Sequence, residues 1–390
     1  MAMNFNPLFL AQALIRAPSV CPEDNGAMDV LVAALTPLGF TCEKVLFTGN
    51  GGPDTWNLWA YREGNIPGPH LCFAGHTDVV PVGDATAWRH DPFGGEVHDN
   101  ILYGRGAEDM KGAIAAFIAA AEHFTDYPGT ISLLITGNEE GNAVNGTPRM
   151  LDWLKEKNIQ ISHCMVGEPT SENRVGDAIK NGRRGSLHVE LSVQGVQGHV
   201  AYPQRALNAN HLLAQVIARL TAQKIDSGNR DFPPSTLQVT EMKTLGETAV
   251  NLVPANAFAQ MNIRYNTLQT PELLERWLKR ECDAVLLPVT GAAYELKTRI
   301  SGEAFLTPPS AFVQLICDAV MEKTNSIVTL STSGGTSDAR FIKNHCPVIE
   351  LGLRNDTLHQ ANECVPVGDL IKLSEIYHNV ITRYFAEIKS

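Results

Sequence analysis

Short apolar runs alternate with helical patterns through the first part of the chain. Residues 71–74 (LCFA) and 131–136 (ISLLIT) are uninterrupted apolar stretches of the kind that form buried strands. Residues 111–124 are rich in alanine and predict a helix, and residues 147–157 predict another. Because strands and helices alternate, we predict an α/β fold with a mostly parallel mixed sheet flanked by helices.

The pattern changes near residue 182. Residues 187–193 (LHVELSV) alternate apolar and polar side chains, as a half-exposed strand does. The region after them predicts a helix, two strands and a second helix, at 208–223, 236–242, 257–265 and 271–286. A sheet that packs helices on one face and leaves its other face open is a small two-layer α+β domain, and we predict such a domain here.

At residues 294–299 (YELKTR) we expect the chain to return to the first domain, because helix and strand patterns alternate again from 311 onward. The sequence therefore predicts a discontinuous domain of residues 1–181 and 297–390. Residues 182–296 would form the inserted domain.

Composition and charge exclude several classes of protein. The chain has 390 residues, 44% hydrophobic and 19% charged, which suits two folded domains and makes disorder improbable. The net charge is -11 and no Lys/Arg cluster stands out, so we expect neither nucleic acid nor a membrane surface as partner. No run approaches the roughly 20 apolar residues of a membrane span, and the N-terminus lacks the pattern of a signal peptide. Eight scattered cysteines without a C-x-x-C pair fit a reducing cytoplasm.

Residues able to bind metal follow the predicted strands. His76 and Asp78 come directly after residues 71–74, at the end of a strand where open α/β sheets place their ligands. A polar turn explains these two residues equally well. Asp109 precedes the alanine-rich helix, where it could either cap the helix or bridge two cations.

Four further residues have the same ambiguity when each is considered alone. Glu139 and Glu140 follow residues 131–136 as an adjacent pair, which indicates either a solvated acidic turn or a nearby cation. Glu168 ends another apolar run, and a single histidine such as His359 is usually not a ligand. Two histidines and several carboxylates together suit zinc without thiolates. One carboxylate must then bridge two ions, leaving open positions for water.

Taken in order, these five segments resemble the co-catalytic zinc amidohydrolase family, which includes aminoacylases, acetylornithine deacetylase and glutamate carboxypeptidases. The resemblance covers nearly the whole chain. It implies two Zn²⁺ ions per subunit, with Co²⁺ as a possible substitute. One ion would be held by His76, Asp109 and Glu168, and the other by Asp109, Glu140 and His359.

The resemblance also implies roles for residues that do not bind metal. Asp78 would orient His76, and Glu139 would act as the general base that moves a proton from water to the leaving amine. The Asp109–Met110 peptide would be cis. His199 would reach across a homodimer, built on the inserted domain, to stabilise the oxyanion of the neighbouring active site.

Three motifs resemble the desuccinylase branch of that family: residues 181–186 (NGRRGS), 198–203 (GHVAYP) and 334–338 (GGTSD). They imply hydrolysis of the amide bond of N-succinyl-L,L-2,6-diaminopimelate, a small anionic N-acyl amino acid. The residues expected to contact substrate are Arg183, Arg184, Ser186, Tyr202, Asn251, Arg264, Gly334, Gly335 and Thr336. Arginines can pair its carboxylates bidentately, and glycine-rich backbone can form an anion nest. The alternatives are a solvated strand start for the arginine pair and a surface turn for His199.

Two residues depart from the pattern of relatives, and other functions stay open. Asn138 stands where desuccinylases usually have an acidic residue, and Glu108 stands where relatives usually have a small or apolar one.

The closest alternative function is the same machinery on another substrate, as in acetylornithine deacetylase or a dipeptidase. A non-catalytic metal-binding relative is disfavoured by Glu139, and a nucleotide enzyme by the absence of a G-x-G-x-x-G fingerprint.

Overall fold

The computed structural model describes residues 6–388. The strands are β1 (Thr41–Phe47), β2 (Thr55–Glu63), β3 (Ile66–His76), β4 (Glu96–His98), β5 (Ile101–Tyr103), β6 (Pro128–Thr136), β7 (His163–Val166), β8 (Ala178–Lys180), β9 (Gly182–Arg183), β10 (Gly185–Gln194), β11 (Gly198–His199), β12 (Thr236–Thr244), β13 (Leu252–Val253), β14 (Asn256–Tyr265), β15 (Ala293–Gly302), β16 (Phe305–Leu306), β17 (Thr329–Ser331), β18 (Val348–Glu350) and β19 (Cys364–Pro366). The α-helices are α1 (Pro7–Ile15), α2 (Ala27–Leu35), α3 (Gly112–Ala121), α4 (Thr147–Glu156), α5 (Ala209–Ala222), α6 (Pro271–Leu286), α7 (Ala311–Thr324), α8 (Ala339–Ile342) and α9 (Val367–Glu387).

The chain forms two compact units. The first unit comprises Met1–Asn181, Thr307–Ser331 and Ser337–Ser390. The inserted unit comprises Gly182–Leu306 and Thr332–Thr336.

An eight-stranded mixed sheet organises the first unit, in the order β1-β2-β6-β3-β7-β18-β8-β17. The four central strands β6, β3, β7 and β18 are mutually parallel, whereas β1 and β2 join antiparallel at one side. Helix α3 is buried along its whole length, because its alanines let it pack closely against α1 and α9. The predicted α/β fold, with its large mixed sheet flanked by helices, is confirmed.

The inserted unit has a four-stranded antiparallel sheet in the order β12-β14-β10-β15, packed against α5 and α6. Alternate side chains of β10, from Leu187 to Val193, lie in the apolar core with helix residues such as Leu213 and Leu278. The alternation of apolar and polar positions therefore corresponds to one face packed on helices and one face left open.

The boundary predicted at 296/297 differs from the structure. Strand β15 continues to Gly302 and pairs with β10 along its length, so residues 294–299 belong to the sheet of the inserted unit. Their alternation of half-buried and exposed positions is that of an edge strand, which a short sequence window does not distinguish from a strand of the neighbouring unit. The chain leaves the inserted unit after Leu306 and contributes Thr332–Thr336 to it a second time.

No helix between residues 6 and 388 is long and apolar enough to cross a membrane. All eight cysteines are free thiols.

Candidate active site

The carboxyl ends of four neighbouring strands bring the predicted metal ligands together. Strands β6, β3, β7 and β18 are parallel, so their carboxyl ends meet at one edge of the sheet. His76 is the last residue of β3, Glu140 follows β6, and Glu168 follows β7. His359 lies in the loop between β18 and β19, and the pairing of β19 with β5 returns that loop towards the segment containing Asp109.

Asp109 presents one carboxylate oxygen to each histidine. Its Oδ1 lies 3.1 Å from His76 Nε2, and its Oδ2 lies 3.2 Å from His359 Nε2. Glu140 Oε1 is 2.9 Å from His359 Nε2, and Glu168 Oε1 is 3.7 Å from His76 Nε2. The potential ligand atoms thus form two groups that share Asp109, and within each group all atoms lie within 4.8 Å of one another.

Burial makes the charge of this cluster unfavourable without cations. Burial and the nearby Asp109 and Glu139 raise the pKa of the Glu168 carboxyl well above its usual value. Burial also acts to raise the pKa of Asp109, but the hydrogen bonds from His359 and His76 outweigh it and hold that pKa well below its usual range. Hydrogen bonds to Asp109 and Glu140 raise the pKa of His359 to about 10. Clustered carboxylates beside imidazole nitrogens suit two divalent cations, because each cation offsets charge that burial makes costly.

Asp78 makes contacts that differ from the expected ones. The backbone carbonyl of Asp78, rather than its carboxylate, lies 2.9 Å from His76 Nδ1, while Oδ1 is 3.7 Å away. A carbonyl can only accept, so Nδ1 carries the proton and Nε2 presents its lone pair to the ligand cluster. The carboxylate instead accepts from the backbone N–H groups of Glu139 (3.1 Å) and Glu140 (2.9 Å). Asp78 therefore links His76, through its backbone carbonyl, to the segment of Glu139 and Glu140, through its carboxylate.

Glu139 lies beside the ligand cluster but belongs to neither group of ligand atoms. Burial and the nearby Asp338 raise the pKa of its carboxyl to about 8. The Arg340 guanidinium lies 3.8 Å from Glu139 Oε1. Sequence reasoning missed Arg340, although it stands two residues after the motif 334–338.

Arg183 and the glycine-rich loop form a second cluster, within the inserted unit. Arg183 is buried, and its Nη1 donates to the backbone carbonyls of Ser333 (3.4 Å) and Gly335 (3.3 Å). Gly334 has a φ of +96°, and a Cβ there would lie 2.7 Å from Arg183 Nη1. Glycine is required at this position because the guanidinium passes so close to the backbone. Gly335 is exposed and Thr336 is half-buried.

Two of the other expected substrate contacts are paired across the sheet of the inserted unit. Ser186 lies directly opposite Arg264 in the register of β10 and β14, so their side chains share one face. The Ser186 hydroxyl accepts from Asn262 Nδ2 (3.1 Å). Arg184 is half-buried, and its Nε is without a hydrogen-bond partner among the described residues.

His199, Tyr202 and Asn251 lie together on the surface of the inserted unit. His199 in β11 pairs with β13, and the Val200 N–H donates to the Asn251 carbonyl (3.1 Å). The rings of His199 and Tyr202 are 5.7 Å apart. The Ala201 N–H donates to His199 Nδ1 (3.1 Å), so the neutral ring carries its proton on Nε2 and can donate there.

The two departures from the family pattern have definite contacts. Glu108 is buried, and its carboxylate accepts from the Thr357 N–H (2.9 Å), near His359. Asn138 is buried between Asn142, to which its Nδ2 donates (3.2 Å), and the Cys21 thiol, from which its Oδ1 accepts (3.3 Å). Both polar side chains are therefore satisfied where they stand.

Comparison with known proteins identifies the family. The sequence profile of peptidase family M20/M25/M40 matches residues 72–383, well over half of the chain.

The chain belongs to peptidase family M20/M25/M40. The M20 family assignment confirms the predicted resemblance and identifies the chain as a hydrolytic enzyme with the residues of a dinuclear metal site. The described Asp109–Met110 peptide is cis, as expected.

Among M20 relatives, the succinyl-diaminopimelate desuccinylase of Parvibaculum lavamentivorans is 50% identical over 387 residues, covering 99% of this chain and 97% of the relative. That of Rhodospirillum centenum is 50% identical over 385 residues, covering 98% of each.

Several solved structures share the fold. An aminopeptidase, PepT, from Bacillus cereus has a TM-score of 0.79 at 21% identity, covering 97% of this chain and 98% of that one. A metallo-carboxypeptidase from Sulfolobus solfataricus has a TM-score of 0.77 at 19% identity, covering 97% and 99%.

Proposed function

We propose that this enzyme hydrolyses the amide bond of N-succinyl-L,L-2,6-diaminopimelate to succinate and L,L-diaminopimelate, in lysine and diaminopimelate biosynthesis. Full-length relatives named succinyl-diaminopimelate desuccinylase, at 50% identity, support this substrate. The observation that carries the reaction is the arrangement of carboxylates. Asp109 is shared between two groups of ligand atoms, and Glu139, which belongs to neither group, lies beside them.

The donor set fits two zinc ions. His76, Asp109 and Glu168 would hold one ion, and Asp109, Glu140 and His359 the other. Imidazole nitrogen and carboxylate oxygen, without a thiolate in either group, are ligands that zinc accepts readily and that cobalt shares. When bound, the ions supply Lewis-acid polarisation of the amide carbonyl and a water of lowered pKa.

Glu139 is the proton carrier in this proposal. As the ionised form it accepts a proton from the attacking water at a carboxylate oxygen, and it returns that proton to the nitrogen of the leaving amine. The largely buried Glu139 side chain lies beside both ligand groups and belongs to neither, which suits both steps, because one group must bind and release the same proton. Asp78 supports this role by accepting the backbone N–H of Glu139.

Residues of the inserted unit would bind the substrate and its oxyanion. We assign carboxylate recognition to Arg183, Arg184 and Arg264, with Ser186, Tyr202 and the loop of Gly334, Gly335 and Thr336. His199 Nε2 and Asn251 would donate to the oxyanion in the active site of the other subunit of a homodimer built on the inserted unit. Exposure of His199 and Tyr202 supports this placement, since neither side chain is buried within its own unit.

A homodimer in the cytoplasm is part of this proposal. The exposed apolar side chains of the inserted unit support association, among them Val250 and Met242. Eight free thiols support a reducing compartment.

The decisive experiment is an assay of purified protein on N-succinyl-L,L-diaminopimelate, with succinate release as the readout. We expect hydrolysis that chelation abolishes and that zinc or cobalt restores. N-acetylornithine is the matched competitor substrate, because an acetylornithine deacetylase would use the same machinery. Faster turnover of acetylornithine would leave the M20 assignment intact and overturn the proposed substrate, whereas full activity in metal-free protein would overturn the two-metal reaction.

A further inference from the structure

An ion pair is buried behind the ligand cluster, between segments far apart in sequence. Arg105 is 2% exposed and Glu363 is fully buried. Arg105 Nη1 donates to Glu363 Oε2 at 2.7 Å. A buried ion pair adds little to the free energy of unfolding compared with apolar residues of similar size. The role of this pair is therefore inferred from the segments that it contacts.

Glu363 fixes the segment that carries the shared ligand. Its second oxygen, Oε1, accepts from the backbone N–H groups of Glu108 (3.0 Å) and Asp109 (3.2 Å). Both oxygens of this carboxylate are therefore occupied, one by a guanidinium and one by the peptide groups next to the bridging carboxylate.

Arg105 fixes the loop that carries His359. Its Nη2 donates to the backbone carbonyl of His359 (3.4 Å) and to that of Pro81 (3.3 Å), and its Nη1 donates to that of Gln360 (3.2 Å). The Trp88 ring covers the guanidinium, with its centroid 5.2 Å from Cζ. The planar guanidinium of Arg105, which stands in the glycine-rich segment before α3, thus connects that segment to the loop after β3 and to the loop before β19.

Two further side chains, those of Glu108 and Asn362, hold the same loop. The Glu108 carboxylate accepts from the Thr357 N–H at 2.9 Å. Asn362 accepts from the Arg89 N–H (2.6 Å) and donates to the Ala87 carbonyl (3.0 Å). Neither a helix nor a long strand supports His359 itself, since it lies at a φ of +60° within an irregular loop. Its position relative to Asp109 depends on these side-chain contacts.

We propose that Arg105 and Glu363 are positioning residues for the metal site, with Glu108 as an accessory. They hold the loop of His359 against the segment of Asp109, and thereby set the affinity for the ion bound by Asp109, Glu140 and His359. This inference rests on the two-metal site of the proposed function. The ion bound by His76, Asp109 and Glu168 depends on them less, because His76 and Glu168 are placed by the central sheet.

The test is calorimetric titration of zinc into metal-free full-length protein. A His359→Ala variant identifies which binding step belongs to the His359 site. We expect Glu363→Gln to weaken that step by about 10–100-fold, as loss of a partner behind a ligand does in other metal sites, while the other step changes by less than about 3-fold. Arg105→Lys should also weaken the step that belongs to the His359 site, since a lysine ammonium cannot donate to three carbonyls and a carboxylate as the planar guanidinium does. Glu108→Ala should weaken the same step by a smaller factor.

Two matched controls separate positioning from general loss of structure. Glu281 is a buried carboxylate paired with Arg219 in the inserted unit, and Arg62 donates to the backbone carbonyls of Leu38 and Ala121. Glu281→Gln and Arg62→Met should leave both binding steps unchanged. If Glu363→Gln does not fold, Arg105→Lys and Glu108→Ala decide the same question.

The outcomes distinguish this inference from the function on which it rests. A wild-type protein that binds two ions, with variants that bind both ions equally well or lose both equally, would overturn the positioning role alone. A wild-type protein that binds fewer than two ions would overturn the two-metal function first.

Discussion

The ligand edge of the first unit and the surface around His199 in the inserted unit are built in opposite ways. At the ligand edge, His76, Asp109 and Glu168 are buried, and the exposed ring of His359 is hydrogen-bonded to Asp109 and Glu140. On the other surface, His199 is exposed and Tyr202 is 53% exposed. The first set of side chains is fixed by the fold of its own unit, and the second is not.

This difference determines which catalytic roles can be inferred from the structure of a single subunit. A buried cluster of carboxylates and imidazoles is costly unless a cation binds, so its structure already indicates its ligand. An exposed histidine with one local hydrogen bond has no such requirement, and only a second molecule gives it a catalytic role.

Glu139→Gln should lower turnover of the succinyl substrate by about 100-fold to 10,000-fold, because it removes the general base. Both ions should stay bound, since Glu139 lies outside both ligand groups. Metal content measured by atomic absorption, together with kcat, checks this. Glu140→Gln is the control, for which we expect loss of metal; the opposite pattern would mean that the two glutamates have exchanged roles.

His199→Ala should lower kcat by about 100-fold to 1,000-fold, the usual cost of one oxyanion donor. Mixing this variant with Glu139→Gln should restore activity, because a heterodimer then contains one intact composite site. Subunit exchange is verified by native mass spectrometry. Restoration that fails after confirmed exchange would place His199 within the active site of its own subunit or outside catalysis.

Wild-type enzyme should prefer a succinyl over an acetyl substrate by about 100-fold in kcat/KM, because an acetyl group leaves buried polar partners unpaired. Arg183→Ala should narrow that ratio, chiefly by slowing the succinyl substrate. Arg184→Ala is the neighbouring control and should narrow the ratio less. An unchanged ratio in Arg183→Ala would limit this residue to supporting the loop of Ser333 and Gly335.

The sequence could place three of the candidate ligands together, because His76, Glu140 and Glu168 end or follow parallel strands whose carboxyl ends meet by topology. Arg105 and Glu363 were not predicted, since 258 positions separate them and only the folded loops bring them into contact. For a related reason, the atom of Asp78 that contacts His76 could not be predicted. Its backbone carbonyl lies nearer to His76, which no residue pattern encodes. The end of β15 was missed because an edge strand has the same alternation in either unit.

The smallest predicted effect concerns stability, away from both sites. Burial lowers the pKa of His70 to about 4, and the neutral ring bonds to the Gln160 carbonyl and the Ser132 hydroxyl. Since an unfolded histidine has a pKa of about 6.5, the unfolded chain binds more protons between the two values, and stability falls as pH falls through that range. His70→Gln should lessen the loss between pH 7 and pH 5 by about 1–2 kcal/mol. Urea unfolding at both pH values measures it, with the exposed His98→Gln as control.

The discontinuous first unit has a consequence for synthesis on the ribosome. The inserted unit is nearly complete once Leu306 has emerged, whereas the first unit still lacks β18 and α9. Domains fold as units while the chain is made from its N-terminus, so the inserted unit can fold first. His359 is the last ligand to be translated. The metal site therefore cannot close before residue 359 has been made, and a chain that stops earlier leaves an acidic cluster that cannot hold its second ion.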